Sequence, residues 1–265
     1  MSYPGTQAIH RAVQLLKLFG VRQEEWSLAE LVKETKLNKT TVFRILSALE
    51  SEGLLERTER NNYQLGPEMV ALGTWAIEQN SLIKVAEPPL KELVSQVNER
   101  VTLEQPVLNV DGSWSMLGLT AIRSNHRITV SQIYGTRLPI HATSTGKAYL
   151  AHLPSEMQLA ILKATPLNAF TSTTHTTIEE IFGELSLIKS QGYAVALGEL
   201  EEGLLATGTP LFNHRGEPVA AISMEGPTSR VDEARLHELA RELMKTAAVI
   251  SAKLGWRASM TETSD

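Results

Sequence analysis

Asn38-Lys39-Thr40-Thr41-Val42-Phe43-Arg44-Ile45-Leu46-Ser47-Ala48-Leu49 is the stretch whose reading decides the N-terminal fold. Val42, Ile45, Leu46 and Leu49 recur at i, i+3, i+4 and i+7, the one-face spacing of an α-helix. Asn38 in front of them suits an N-cap, because its side-chain oxygen can accept an orphan backbone N–H. Lys39, Thr40, Thr41, Phe43, Arg44 and Ser47 lie off the apolar face. From Lys36 to Ser47 there are three basic residues and no acidic one. The helix should therefore bury one side and offer a basic, hydroxyl-rich side to a partner.

Upstream, Ser27-Leu-Ala-Glu30 reads as a capping box opening a second helix, whose buried face is Leu28, Leu31 and Val32. A further helix is expected over 6–19, with Ile9, Val13 and Leu16 on one face. Downstream, Gly53 suits a left-handed helix end. The segments 54–57 and 63–65 then flank Arg60-Asn61-Asn62 as a strand–turn–strand. Three helices, a four-residue turn and a hairpin, in that order, are the parts of a winged helix-turn-helix. Its third helix reads the major groove, and hydroxyls at the helix start hold phosphates. Arg44 can fork onto a guanine edge. Lys36, Arg57 and Arg60 are expected to add backbone contacts.

Pro67 can open a helix at no hydrogen-bond cost. A connecting helix is predicted over 67–79, with Met69, Leu72, Trp75 and Ala76 as its apolar stripe and a dimer seam. Beyond it, a helix is expected over 90–98, after Pro88-Pro89. Strands are expected over 101–110, 114–121, 128–133, 193–197, 204–212 and 219–225. Helices are expected over 146–152, 155–163, 178–191 and 232–254. Asp111-Gly112 and Arg215-Gly216 suit hairpin turns.

Composition narrows the functions. The 265 residues include no Cys, which excludes disulfide frameworks, thiolate-held metals and thiol nucleophiles. No apolar run approaches the roughly 18 residues that span a bilayer, and the N-terminus lacks a signal-peptide pattern, so a cytoplasmic protein is expected. The net charge of −5 argues against bulk attraction to nucleic acid, but residues 1–66 carry nine Lys/Arg against eight Asp/Glu. The acidity lies entirely beyond them. The seven His show no metal-ligand spacing, so neither metal nor cofactor is expected. Fourteen aromatic residues are too few for a single-strand stacking platform.

The stretch Leu138-Pro-Ile-His-Ala-Thr-Ser-Thr-Gly-Lys-Ala148 runs a strand into a helix N-terminus lined by Thr143, Ser144 and Thr145, which suits an anion or polar ligand. It is not a P-loop, because Ala148 follows Lys147 where Ser or Thr should. Ala142-Thr-Ser-Thr-Gly146 echoes a nucleophile elbow, which keeps a serine hydrolase using Ser144 as an alternative. Asp232 and His237, its acid and base candidates, fall five residues apart and do not share a helix face. A protein–protein adaptor docking through the winged domain is a second alternative.

Across about residues 7–254 the chain resembles the IclR family of bacterial transcriptional regulators. The resemblance is carried by Ser27-Leu-Ala-Glu-Leu-Val32, Lys39 to Leu49, Tyr63-Gln-Leu-Gly66, Leu138 to Ala148 and Val219-Ala-Ala-Ile-Ser-Met-Glu-Gly-Pro227. It implies an α+β fold: a winged helix-turn-helix over 1–66, a linker helix over 67–80 and a GAF-like effector domain of antiparallel sheet and flanking helices over 81–257. A flexible tail, 258–265, would follow. It also implies a dimer, or a dimer of dimers, on a partly palindromic operator in double-stranded DNA, and a small-molecule effector.

By the same resemblance, the effector pocket comprises Thr143, Ser144, Ala196, Glu199, Ala206, Ser223 and Glu225. Ala196 stands where the family usually has Asp, and Ala206 where it has Cys. Glu199 matches the family Glu, while Ser223 and Glu225 occupy its two serine positions. A buried carboxylate at Glu225 opposes an acidic ligand unless it is protonated or paired. A neutral or cationic effector is therefore expected, bulkier because of the two Ala, or else a pocket without a ligand.

Overall fold

The structure is a computed structural model that describes residues 6–19, 23–126 and 134–257. The strand expected over 128–133 and the tail 258–265 lie outside the described residues. By its internal contacts the chain divides into residues 1–80 and 81–265.

The first unit packs α1 (Gln7–Leu16), α2 (Leu28–Thr35) and α3 (Lys39–Ser51) around Leu15, Leu31, Val42, Leu46 and Leu49. Both predicted N-caps are formed. The Ser27 hydroxyl accepts the Glu30 N–H while Glu30 takes the Ser27 N–H, and Asn38 Oδ1 accepts the Thr41 N–H at 2.8 Å. The core-facing side of α1 differs from the expected one. Leu15 and Phe19 are buried, whereas Ile9 is 65% and Val13 42% exposed. The helix has two apolar stripes, and the one holding Leu15 and, just beyond the helix, Phe19 meets α3.

The hairpin of β1 (Leu55–Arg57) and β2 (Tyr63–Leu65) gains a third rung from Trp26, which exchanges both backbone hydrogen bonds with Tyr63 at 2.8–2.9 Å. Buried Trp26 and Tyr63 thereby tie the wing to the chain just before α2. Helix α4 (Pro67–Gln79) closes this unit and buries none of its residues.

The second unit is one six-stranded antiparallel sheet in the order β5-β4-β3-β8-β7-β6, from β3 (Arg100–Leu108), β4 (Trp114–Ile122), β5 (Arg137–Pro139), β6 (Ala194–Leu197), β7 (Leu204–Phe212) and β8 (Pro218–Pro227). Alternation assigns its faces. Val101 and Leu103 of β3, with Ala220, Ile222 and Met224 of β8, pack against α5 (Ser81–Val97) and α9 (Glu233–Lys253). The intervening residues face the side covered by α6 (Ser144–Ala151), α7 (Ser155–Ala164) and α8 (Ile178–Gln191).

Helix α5 starts nine residues earlier than expected and runs through Pro88 and Pro89. Two prolines remove two backbone donors and crowd the preceding turn. The helix persists because Ile83, Ala86, Pro89, Leu90, Leu93 and Val94 are all buried, and this packing outweighs the lost bonds.

Candidate DNA-reading surface and effector cavity

On α3 the buried residues occupy one side, and Lys39, Thr40, Phe43 and Arg44 are exposed, with Thr41 and Ser47 partly so. Lys36 is exposed just before the helix, in a left-handed conformation at the end of α2. Among the described residues none of Lys36, Lys39, Arg44 and Arg60 forms an ion pair. Their charges are available to a partner.

Arg57 is engaged differently. Its Nε meets Glu50 Oε1 at 3.1 Å, its Nη1 donates to Asn61 Oδ1 at 2.8 Å, and its guanidinium lies 4.9 Å from the Tyr63 ring centre. It braces the wing against α3, and Glu50 already offsets its charge. Phe43, 46% exposed amid the basic and hydroxyl groups, is apolar surface placed on the same outer side.

In the second unit, all seven expected pocket residues line one cavity, together with Glu104, Leu138, Ala142, Thr145, Leu200 and Leu204. Strand register builds its floor. Glu225 lies opposite Arg100 on β3 and Ala206 on β7; Ser223 lies opposite Thr102 and Gly208; Ala206 lies opposite Ala196. The first turn of α6 forms the roof, resting directly on Gly208. A Cβ there would come within 2.7 Å of the Ser144 carbonyl carbon.

Thr143 Oγ1 accepts the Gly146 N–H, while the amides of Ser144 and Thr145 find no acceptor among the described residues. The cavity is narrow. The centre of a water-sized sphere has only about 30 Å³ to move in. Leu138, Leu200 and Leu204 line the cavity beside the two alanines.

Each carboxylate is held by a specific partner. Glu225 pairs with buried Arg100 across the β3–β8 register. Burial still pushes its carboxyl up to about 7, with Arg100 opposing and Glu104 and Glu201 reinforcing the rise. Glu104 accepts from Thr102 Oγ1 at 3.0 Å and from Thr145 Oγ1 at 2.5 Å. Glu199 Oε1 takes the fully buried Lys147 Nζ at 2.5 Å, and Lys147 also reaches Glu184 Oε2 at 3.0 Å. Burial raises the Glu199 carboxyl despite the Lys147 ammonium.

Glu104 was missing from the sequence reading, although Arg100, Thr102 and Glu104 at period two on a strand mark one polar, inward face. Lys147 was read only against the P-loop pattern. Its partners come from α8 and from the loop between β6 and β7, which linear spacing does not connect.

His175, Glu184 and Glu199 bring potential ligand atoms within 4.8 Å of one another, a grouping that the His spacing alone did not reveal. The Lys147 ammonium lies between the two carboxylates, so a metal ion would share them with a fixed positive charge. For the hydrolase alternative, no His lines the cavity around Ser144 among the described residues. Asp232 caps α9 through the Arg235 N–H, and His237 Nδ1 lies 2.7 Å from the Tyr193 hydroxyl.

Comparison with known proteins places both units. Residues 8–59 match the IclR helix-turn-helix domain, and residues 74–252 match the domain described as bacterial transcriptional regulator IclR C-terminal. The chain is 31% identical over 250 residues to the HTH-type transcriptional regulator KipR of Bacillus subtilis, covering 94% of this chain and 98% of that one. It is 29% identical over 256 residues to the HTH-type transcriptional regulator XynR of Escherichia coli, covering 96% and 100%.

The crystal structure of an IclR transcriptional regulator from Alicyclobacillus acidocaldarius superposes with a TM-score of 0.83 at 25% identity, over 94% of this chain and 98% of that one. An IclR homologue from Microbacterium hydrocarbonoxydans, solved with 4-hydroxybenzoate, shares the fold with a TM-score of 0.77 at 24% identity, over 94% and 99%. With two family domains in their proper order over nearly its whole length, this chain belongs to the IclR family, as a DNA-binding transcriptional regulator with a helix-turn-helix head and an IclR-type C-terminal domain.

Proposed function

We propose that the protein is a cytoplasmic, non-enzymatic regulator that binds a partly palindromic operator as a dimer or dimer of dimers, with residues 1–66 as the reading head, 67–80 as a dimerising linker and 81–257 as the effector domain. Lys39, Thr40, Thr41, Arg44 and Ser47 read and hold the major groove. Lys36, Arg57 and Arg60 hold the flanking backbone. The observation that carries this reading is the outward, unpaired charge of Lys39 and Arg44 on a helix whose opposite side is buried. Phe43 adds a surface suited to a thymine methyl. Met69, Leu72, Trp75 and Ala76 of α4 form the dimer seam.

The effector occupies the cavity lined by Thr143, Ser144, Ala196, Glu199, Ala206, Ser223 and Glu225, and carries no net negative charge, since every charged group lining that cavity among the described residues is a carboxylate. Effector binding biases the equilibrium between two placements of the reading heads by its differential affinity for them.

Gel shift with operator fragments from the gene's own neighbourhood tests the head. Arg44→Ala should cost about 1–3 kcal/mol on the specific site and relax discrimination at one base pair. Unchanged affinity would remove Arg44 from the reading set. Lys36→Ala should weaken all sequences alike, and the slope of log affinity against log salt should flatten by about one unit. A slope equal to that of the unaltered protein would place Lys36 off the backbone.

A further inference from the structure

We infer that the cavity selects a small ligand with a primary ammonium group at one end and an oxygen, hydroxyl or carboxylate, at the other. This deepens the effector reading above and rests on it. Among the described residues, the charged side chains lining the space are Glu104, Glu199 and Glu225. Their counter-cations, Arg100 and Lys147, pair with Glu225 and Glu199 from outside the lining and offer nothing to an incoming anion.

Glu199 points most directly to a ligand. It is 6% exposed, and its Oε1 takes Lys147 while its Oε2 is buried with no hydrogen-bond partner among the described residues. An ionised carboxylate only accepts, so the missing group must be an N–H or O–H donor. Leaving that oxygen unsatisfied is costly, and a donor from the ligand recovers the cost. With three carboxylates lining one space, a cationic donor gains more than a neutral one.

The other end of the space has the opposite polarity. The first turn of α6 presents the unaccepted amides of Ser144 and Thr145, beside the Ser144 hydroxyl. A helix N-terminus of this kind favours an oxygen, charged or not. The ligand is therefore polar at both ends and short, because the space between roof and floor is small.

Glu225 makes the affinity depend on pH. It faces Arg100 and Glu104 from β3 and Glu201 from the loop after β6, and its carboxyl titrates at about 7. Below that pH it is largely protonated and adds no attraction for an ammonium ligand elsewhere in the cavity. Between pH 6 and pH 8 the ionised fraction rises about tenfold, and affinity for the cation should rise with it.

Isothermal titration of the full-length protein with 3-aminopropan-1-ol, β-alanine and 3-hydroxypropionate isolates the charge at nearly constant size. The two amines are expected to bind, and 3-hydroxypropionate to bind more than about tenfold more weakly. Affinity for 3-aminopropan-1-ol should increase about tenfold from pH 6 to pH 8. Glu199→Gln keeps the side-chain shape, leaves Lys147 its Glu184 partner and should weaken both amines about tenfold or more. Equal or tighter binding of 3-hydroxypropionate, or no binding of any of the three at millimolar concentration, overturns the inference. Operator gel shift on the same preparation shows separately whether the regulator reading stands.

Discussion

Lys147→Met should lower the stability of the C-terminal unit by about 3–5 kcal/mol at pH 8. The Lys147 side chain is fully buried, and its ammonium pairs with Glu199 Oε1 and, at 3.0 Å, with the more exposed Glu184 Oε2. Methionine fills nearly the same volume, so the loss is electrostatic rather than a cavity. It leaves the buried Glu199 carboxylate without its counter-charge. For a unit of this size the unfolding midpoint should fall by about 10 °C.

The pH dependence has a fixed sign. Burial already raises the Glu199 carboxyl above its ordinary value, and removing Lys147 raises it further. A carboxylate raised in the folded state is stabilising when protonated and destabilising once ionised. The deficit of the variant should therefore shrink as the pH falls from 8 towards 5. Lys147→Met combined with Glu199→Met should recover most of the loss, because an apolar pair needs no charge compensation. Thermal unfolding followed at both pH values checks this. An unaltered midpoint in the single variant would mean that water or rearrangement solvates Glu199 without Lys147.

That ion pair also marks the boundary of what the sequence makes legible. Local signals specify local structure: Ser27 and Asn38 cap their helices as read, and Pro67 opens α4 at the first position where its missing N–H costs nothing. Period-two alternation places β3, β4, β7 and β8 close to their predicted spans. Through the family resemblance, the seven cavity residues could be named without any knowledge of register.

Long-range terms override the local signals elsewhere. Pro88-Pro89 signals a helix start, yet burial of Ile83 and Ala86 carries the helix back to Ser81. The α1 face cannot be chosen from spacing, because Ile9-Val13 and Leu15-Phe19 are equally periodic and only contact with α3 separates them. Cavity volume is likewise not legible from spacing. Side-chain size at positions 196 and 206 is local, but the space above them is also lined by three leucines from other segments. Arg57 shows a further limit: its charge is legible, but not that Glu50 of α3 would meet it.

Replacing Leu72 and Trp75 together by Glu should convert the protein to a monomer and reduce operator affinity by about 10²- to 10⁴-fold. Helix α4 carries Val70, Leu72, Trp75 and Ile77 at 71%, 47%, 54% and 50% exposure and buries none of its 13 residues. A helix of that length is marginal in water without a packed face, so its apolar surface calls for a partner. Two glutamates on neighbouring turns would have to be desolvated to restore a seam, at a cost of several kcal/mol.

In the proposed dimer the second reading head would reach the operator at a fixed effective concentration, and a monomer would lose that gain while keeping its own half-site contacts. The expected signature is therefore specific. Sedimentation reports half the mass, and affinity for the full operator falls towards that for an isolated half-site. Binding of one half-site remains as in the unaltered protein, because Lys39 and Arg44 are untouched. If the variant stays dimeric and binds the operator as before, α4 serves only to pack within its own chain, and the seam must lie on another surface.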